Sequence, residues 1–306
     1  MQNLDGILPL WKEKGLTSHD CVFKARKILH MKKIGHTGTL DPNVDGVLPL
    51  CLGKGTKLVD LIMDKTKTYV GEITLGFATE TEDLDGKIID ELAIDQPIPS
   101  EVIDQKMQEF KGIITQVPPM YSAVKVNGRR LYEYARANET VERPTRQVEI
   151  HQFKRTSSVE YDNEKHVQRF KFEVVCGKGT YIRTLASNLG ESLGVPATMI
   201  KLTRTGSSPF SKNECLTLAE VKQAVTDGSI NQYVWSIDRV LNQYPTWEVP
   251  AHLIKLIRNG AVIDKDQLPK DLSDEPIVAA QIDNQIIGLY GPHPTKENKV
   301  KPKKMF

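Results

Sequence analysis

The sequence predicts a mixed α/β or α+β sheet domain followed by a small β-domain. Strand-like alternation recurs at Gln147 to Lys154 and at Arg169 to Cys176, with helical spacing between other segments. Strands and helices alternate irregularly, which favours a mixed sheet. The length of 306 residues is too great for one ordinary small core and suits two domains.

Taken in order, Thr17-Ser18 followed by Val22, Ala25, Ile28 and Leu29 reads as a capped amphipathic helix. Its other face holds Lys24, Lys27 and Lys32. A Gly-rich loop runs from Gly35 to Gly46. Lys54 to Met63 reads as a short helix. Lys67 to Phe77, rich in Thr, Val, Tyr and Ile, reads as a strand. The acidic stretch containing Asp85-Gly86 reads as a hairpin turn or loop. Pro118 to Arg146 lacks a long apolar stripe and reads as a surface insertion with a short helix. It interleaves Arg129, Arg130, Arg136, Arg143 and Arg146 with Tyr121, Tyr132 and Tyr134. Such a segment suits single-stranded or looped nucleic acid, and it equally suits an ordinary solvated insertion. Arg169 to Cys176 puts Phe170, Phe172, Val174 and Cys176 on one face. After the Gly177-Lys178-Gly179 turn, Ile182, Leu185, Ala186, Leu189 and Leu193 recur at helical spacing until Gly194 and Pro196 stop the helix. Residues 236 to 249 read as a boundary. Beyond it, Pro276 to Ile282 and Gln285 to Tyr290 are strand-like.

Composition narrows the function class. Hydrophobic residues make up 39% and charged residues 26%, as in globular proteins generally. No apolar run is long enough to cross a membrane as a helix. Met1 to Leu10 lacks the pattern of a signal peptide, so a cytosolic protein is expected. Cys21, Cys51, Cys176 and Cys215 form no CxxC pair, and the histidines do not cluster. A disulfide framework or a zinc site is not expected. The net charge of +2 hides an asymmetry. Lys24 to Lys33 carries five basic residues and no acid, and Glu80 to Asp104 carries nine acids and only Lys87. The tail from Lys296 to Phe306 holds five lysines. An anionic partner on one face is compatible with this, as is a merely solvated face.

The segment with the most chemical content is Gly35-His36-Thr37-Gly38-Thr39-Leu40-Asp41-Pro42, continuing to Leu50. Its glycines and proline impose a particular backbone path that presents His36 and Asp41. Asp41, Asn43, Asp45 and Gly46 imitate the start of an EF-hand loop, but Leu52 stands where its last ligand should be Glu. Gly53-Lys54-Gly55-Thr56 imitates a phosphate-binding loop, but Leu48 occupies the place of its first glycine. Asp41 as a turn cap and Asp41 as a catalytic carboxylate are equally open on these residues.

Gly35 to Pro49 resembles the GHxGxLDPxAxGxLP signature loop of the TruB family of tRNA pseudouridine synthases. Lys67-Thr68-Tyr69 resembles the family's tyrosine segment. Gly177 to Leu185 resembles its KGTYIR motif, and Lys201 to Thr205 its LxR segment. Gly6 to Ser18 resembles its N-terminal strand and helix start. The order is collinear over roughly residues 3 to 210. Val44 and Asp45 depart from the small or hydroxyl residues usual there, and Asp45 adds a carboxylate near Asp41.

The resemblance implies a pseudouridine synthase fold with a mixed, largely antiparallel central sheet flanked by helices and loops. It implies a catalytic domain over 1–245, with an RNA-binding insertion near 118–146. A looser likeness implies a PUA-like RNA-binding β-barrel over 246–306. It implies conversion of uridine-55 in the tRNA T-loop to pseudouridine, with Asp41 catalytic. His36 would hold the RNA with the base out, and Tyr69 would stack on the flipped base. Arg183 would pair with Asp41, while Tyr181 and Leu202 would line the pocket. No cofactor or metal, no membrane and no obligatory protein partner is implied, and a monomer is expected. The principal alternative is a non-catalytic tRNA-binding or folding protein on the same scaffold. A guide-RNA-dependent relative and a phosphate hydrolase using Asp41 are further rivals.

Overall fold

The computed structural model describes residues 4–306, so the first three positions of the N-terminal segment lie outside the described residues. Strand β1 (Gly6–Lys12) leads to helix α1 (Ser18–Ile28). Thr17 and Asp20 exchange side-chain and backbone hydrogen bonds in a capping box. Val22 and Ala25 are buried while Lys24 and Lys27 are exposed, as the periodicity predicts. Strands β2 (Ile34–His36) and β3 (Asp45–Leu52) pair antiparallel around the Gly-rich loop. Lys54 to Met63 is not one helix. It divides into a 3-10 segment, Gly53–Leu58, and α2 (Val59–Met63). The 3-10 segment packs closely on β1, where a Cβ at Gly55 would run into the backbone of Gly6.

The next strand, β4 (Lys67–Leu75), stops at Gly76, after which β5 (Phe77–Thr79) and β6 (Ile88–Glu91) form a hairpin around the acidic turn. Helix α3 (Ser100–Glu109), which buries Ile103 and Met107, is not among the elements the sequence predicts. It precedes β7 (Gly112–Gln116). The 118–146 insertion contains a hairpin of β8 (Lys125–Val126) and β9 (Arg129–Arg130), then α4 (Leu131–Arg136). Strands β10 (Arg146–Arg155), β11 (Glu160–Asp162) and β12 (Val167–Cys176) follow. Helix α5 (Ile182–Leu193) ends at Gly194, whose φ of 75° suits glycine. Then come β13 (Ala197–Ser207), β14 (Phe210–Ser211), α6 (Leu218–Thr226) and α7 (Ile237–Leu241).

Ten of these strands form one sheet, with the path β1-β3-β13-β4-β12-β10-β7 and β2, β11 and β14 at its margins. The β3–β13 pair is parallel and its other ladders are antiparallel. The sheet is therefore mixed and largely antiparallel, as expected. Phe170, Phe172, Val174 and Cys176 all point into the core beneath α3 and α5. The C-terminal strands are β15 (Thr246–Glu248), β16 (Ile263–Asp264), β17 (Val278–Ile282), β18 (Gln285–Pro292) and β19 (Lys299–Met305), with α8 (Ile254–Arg258) after β15. They make a second, curled sheet in the order β15-β17-β18-β19-β16. This sheet does not stand apart. Ala279, Ile286 and Leu289 share a core with Ile7, Val47 and Cys51.

Candidate active site

The Asp41 loop is held from four sides. The Leu40 amide donates to Ser18 Oγ at 2.9 Å, and the Thr37 amide to the Pro49 carbonyl at 3.1 Å. Lys12 is fully buried, and its Nζ donates to the carbonyls of Val44 at 2.6 Å and Pro42 at 3.2 Å. Those carbonyls take the place of water around the ammonium, although burial still pushes its pKa down. Arg204, also buried, donates from Nε to Val47 O at 2.7 Å and from a guanidinium nitrogen to Gly38 O at 3.2 Å.

Against this loop lies a cavity of about 340 Å³, within the ~300–1,000 Å³ usual for ligand sites. Asp41, Tyr69, Tyr181, Arg183 and Leu202 all line it. Separate strands, a helix and two loops bring these five side chains together. His36 is not among the lining residues. It sits in β2 opposite Leu50, half-buried, and burial pushes its imidazole pKa down.

Arg183 is 7% exposed, and both terminal nitrogens of its guanidinium are engaged. One guanidinium nitrogen stands 3.3 Å from Asp41 Oδ2 and donates to the Tyr121 carbonyl at 3.1 Å. The other stands 3.4 Å from Asp83 Oδ2 and donates to the Thr81 carbonyl at 2.9 Å. The first turn of α5 is buried all round, with Ile182, Arg183, Thr184 and Leu185 all in the interior. The β5–β6 turn and the root of the insertion cover it. Asp83 is in turn fixed, its Oδ1 accepting from the Thr81 hydroxyl at 2.6 Å and the Asp85 amide at 3.0 Å.

The Asp41 pKa is raised. Burial by the cavity walls is the largest cause, Arg183 opposes it, and the Asp83 and Asp85 charges add to it. Its side chain lines the cavity and still keeps 45% of its surface open. Asp45 points elsewhere: its carboxylate accepts from the Thr203 hydroxyl at 2.6 Å. Asn43 bonds to Asp85 at 2.7 Å. The Asp41, Asn43 and Asp45 side chains of the calcium-like sequence thus serve three different partners. Among the described residues no cluster of three or more His, Cys, Asp or Glu is arranged to hold a metal.

Tyr69 lies on β4 between Val174 and Arg204 on the neighbouring strands. Burial pushes its phenol pKa up, and Arg204 partly opposes this, so the hydroxyl is a neutral donor at neutral pH. Tyr181 is clamped by Gln116 of β7, which accepts its amide at 3.0 Å and donates to its carbonyl at 3.2 Å. Arg146 lies 5.3 Å from the Tyr181 ring centre. Asp83, Arg204 and Lys67 join the site without having been singled out by sequence. Lys67 lines the cavity, donates to the Lys65 carbonyl at 2.6 Å, and is pushed down to about 8 by burial. The LxR segment contains Arg204 and the Lys67-Thr68-Tyr69 segment begins with Lys67, and those are the available signals. Asp83 is one acid among nine.

A model of the TruB family pseudouridylate synthase N-terminal domain matches residues 26–182, and one of the tRNA pseudouridylate synthase B C-terminal domain matches 183–242. The chain is 46% identical over 304 residues to tRNA pseudouridine synthase B of Bacillus pumilus, covering 99% of this chain and 98% of that one. It is 47% identical over 305 residues to that of Listeria innocua, covering 99% and 98%. Among solved structures, the Cbf5-Nop10-Gar1 complex contains a chain that superposes with a TM-score of 0.71 at 26% identity, covering 99% of this chain and 84% of that one. The cavity, its buried arginine and its loop aspartate thus sit within a protein that belongs to the TruB family of pseudouridylate synthases, which are isomerases.

Proposed function

We propose that this enzyme converts uridine-55 in the T-loop of tRNA to pseudouridine, with Asp41 as its catalytic carboxylate. The carrying observation is the 3.3 Å approach of the buried Arg183 guanidinium to Asp41 in a cavity also lined by Tyr69, Tyr181 and Leu202. The reaction breaks the C1′–N1 bond, forms C1′–C5, and exchanges the C5 proton for one on N1, with no redox change. Attack on the sugar and proton abstraction both require ionised Asp41. Arg183 favours that form and aims it. A uridine inside a folded loop must leave its stack to reach a cavity of this depth. Tyr69, Tyr181 and Leu202 offer it two aromatic rings and an apolar edge. To His36, at the start of the loop and outside the cavity lining, we assign the holding of the RNA strand with the base out.

The 118–146 insertion brings Tyr121 against Arg183 and Ser122 to the cavity lining, and it exposes Arg129, Arg130 and Arg136 while Arg146 lies over Tyr181. We assign it to the RNA interface, with residues 1–245 as the catalytic domain and 246–306 as a PUA-like RNA-binding domain. The enzyme acts as a cytoplasmic monomer without a protein partner. Incubation with unmodified tRNA, followed by adduct formation and primer extension, tests the reading. A single stop at the T-loop uridine is expected. Pseudouridine elsewhere, with none in the T-loop, overturns the assigned position.

A further inference from the structure

Glu82 occupies a backbone conformation that needs an explanation. Its φ is 63°, in the left-handed region that costs every residue but glycine about 1 kcal/mol or more. It lies between Thr81, whose carbonyl accepts from Arg183, and Asp83, whose carboxylate faces Arg183. Three further bonds tie Glu82 itself to three places. Its amide donates to the Thr79 carbonyl at 3.1 Å, and its carbonyl accepts from Met199 of β13 at 3.3 Å. Its Oε2 accepts from the Thr184 hydroxyl at 2.6 Å.

Thr184 is the residue after Arg183 on α5. The Glu82–Thr184 bond therefore fastens the acidic turn to the same helical turn that carries the arginine. Without it, the turn is free to shift against α5 within the reach of its backbone bonds to Thr79 and Met199. That movement would carry the Thr81 carbonyl and the Asp83 carboxylate away from the guanidinium. Burial raises the carboxyl pKa of Glu82, and its bond to Thr184 and the nearby Arg183 and Arg143 oppose that rise. Arg143 also donates to the Pro118 carbonyl at the root of the insertion.

We infer that Glu82 is a positioning residue for the isomerisation: its bond to Thr184 holds the strained turn that fixes Arg183 on Asp41. The inference rests on the reading that Arg183 aims Asp41. Glycine removes the carboxylate without adding backbone strain, so a fall in kcat with no fall in stability reports the lost tie to Thr184 rather than a damaged turn.

The test uses the full chain and a tRNA transcript labelled with tritium at uridine C5, whose release counts turnover at any position. For Glu82→Gly, the midpoint of thermal unfolding should hold or rise, while kcat falls by about tenfold or more and KM stays within about twofold. Glu82→Gln keeps an oxygen acceptor for Thr184 and should restore most of kcat. Thr184→Val should show the same fall as Glu82→Gly, and the double variant should fall no further. A Glu82→Gly enzyme with the parent's kcat, beside an inactive Asp41→Asn, overturns this inference and leaves the assignment of Asp41 intact. An active Asp41→Asn instead removes the reading beneath it. If Glu82→Gly fails to fold, Thr184→Val decides: unchanged kcat overturns the inference, and a fall rescued by Thr184→Ser supports it.

Discussion

At the residue scale, the site turns on a conflict over one proton. Burial and two neighbouring carboxylates favour protonated Asp41, and Arg183 is the strongest influence pulling the other way. Because chemistry requires the ionised form, the acid limb of kcat should lie above the ordinary carboxylate range. Removing the cation in Arg183→Met should move that limb to still higher pH and lower kcat by about a hundredfold or more. A pH–rate profile whose acid limb does not move would break the link between the two residues. Stability has the matching sign. A carboxylate with a raised folded pKa costs the folded state more as pH rises through that pKa. Asp41→Asn should therefore abolish turnover while leaving tRNA binding intact, and should melt no lower than the parent at neutral pH. Any advantage should vanish in acid below the unfolded carboxylate pKa. Differential scanning calorimetry across pH reads this directly.

At the element scale, the site depends on a close approach of two strands. Arg204 on β13 pairs parallel with Gly46 on β3, and a Cβ at Gly46 would stand 2.6 Å from the Arg204 backbone nitrogen. The φ of Gly46 is 135°, also foreign to other residues. Gly46→Ala should cost about 2 kcal/mol or more. The midpoint should drop by several degrees, with kcat falling because Arg204 bonds both Val47 and Gly38 around the Asp41 loop. An alanine variant that melts and turns over like the parent would show that the strands adapt freely. The loop, the capped α1, the alternating β12 and the α5 stop are legible in the sequence because each rests on neighbours along the chain. Asp83 and Lys12 are not, and Arg204 shows only through the LxR resemblance, since each acts across long sequence separations. Lys12 reaches Val44 over 32 residues, and Arg204 reaches Gly38 over 166. Nothing local in the acidic stretch distinguishes Asp83, which faces Arg183, from Asp90, which lies on the exposed β6.

At the scale of the whole molecule, the C-terminal sheet bears on how its role in RNA binding can be tested. Deleting everything after residue 245 would uncover Ile7, Val47 and Cys51, which pack against Ala279, Ile286 and Leu289. Weakened binding by such a truncation would report a damaged core as much as a missing RNA surface. The lysine-rich tail is also not a free tail, because most of it is β19. Lys299 pairs with Asp264 at 2.6 Å, and Lys304 with Asp60 at 3.2 Å across the junction with α2. Lys303 donates to the Pro292 carbonyl at 3.1 Å. Lys296 and Lys301 form no ion pair among the described residues, so they are the lysines best placed to meet phosphate. Lys296→Glu with Lys301→Glu should leave the thermal midpoint and kcat unchanged. It should weaken tRNA binding and reduce the slope of log K against log salt by about 1 for each phosphate no longer neutralised. Unchanged affinity and slope in a folded double variant would remove this face from the RNA interface and confine recognition to the cavity rim and the insertion.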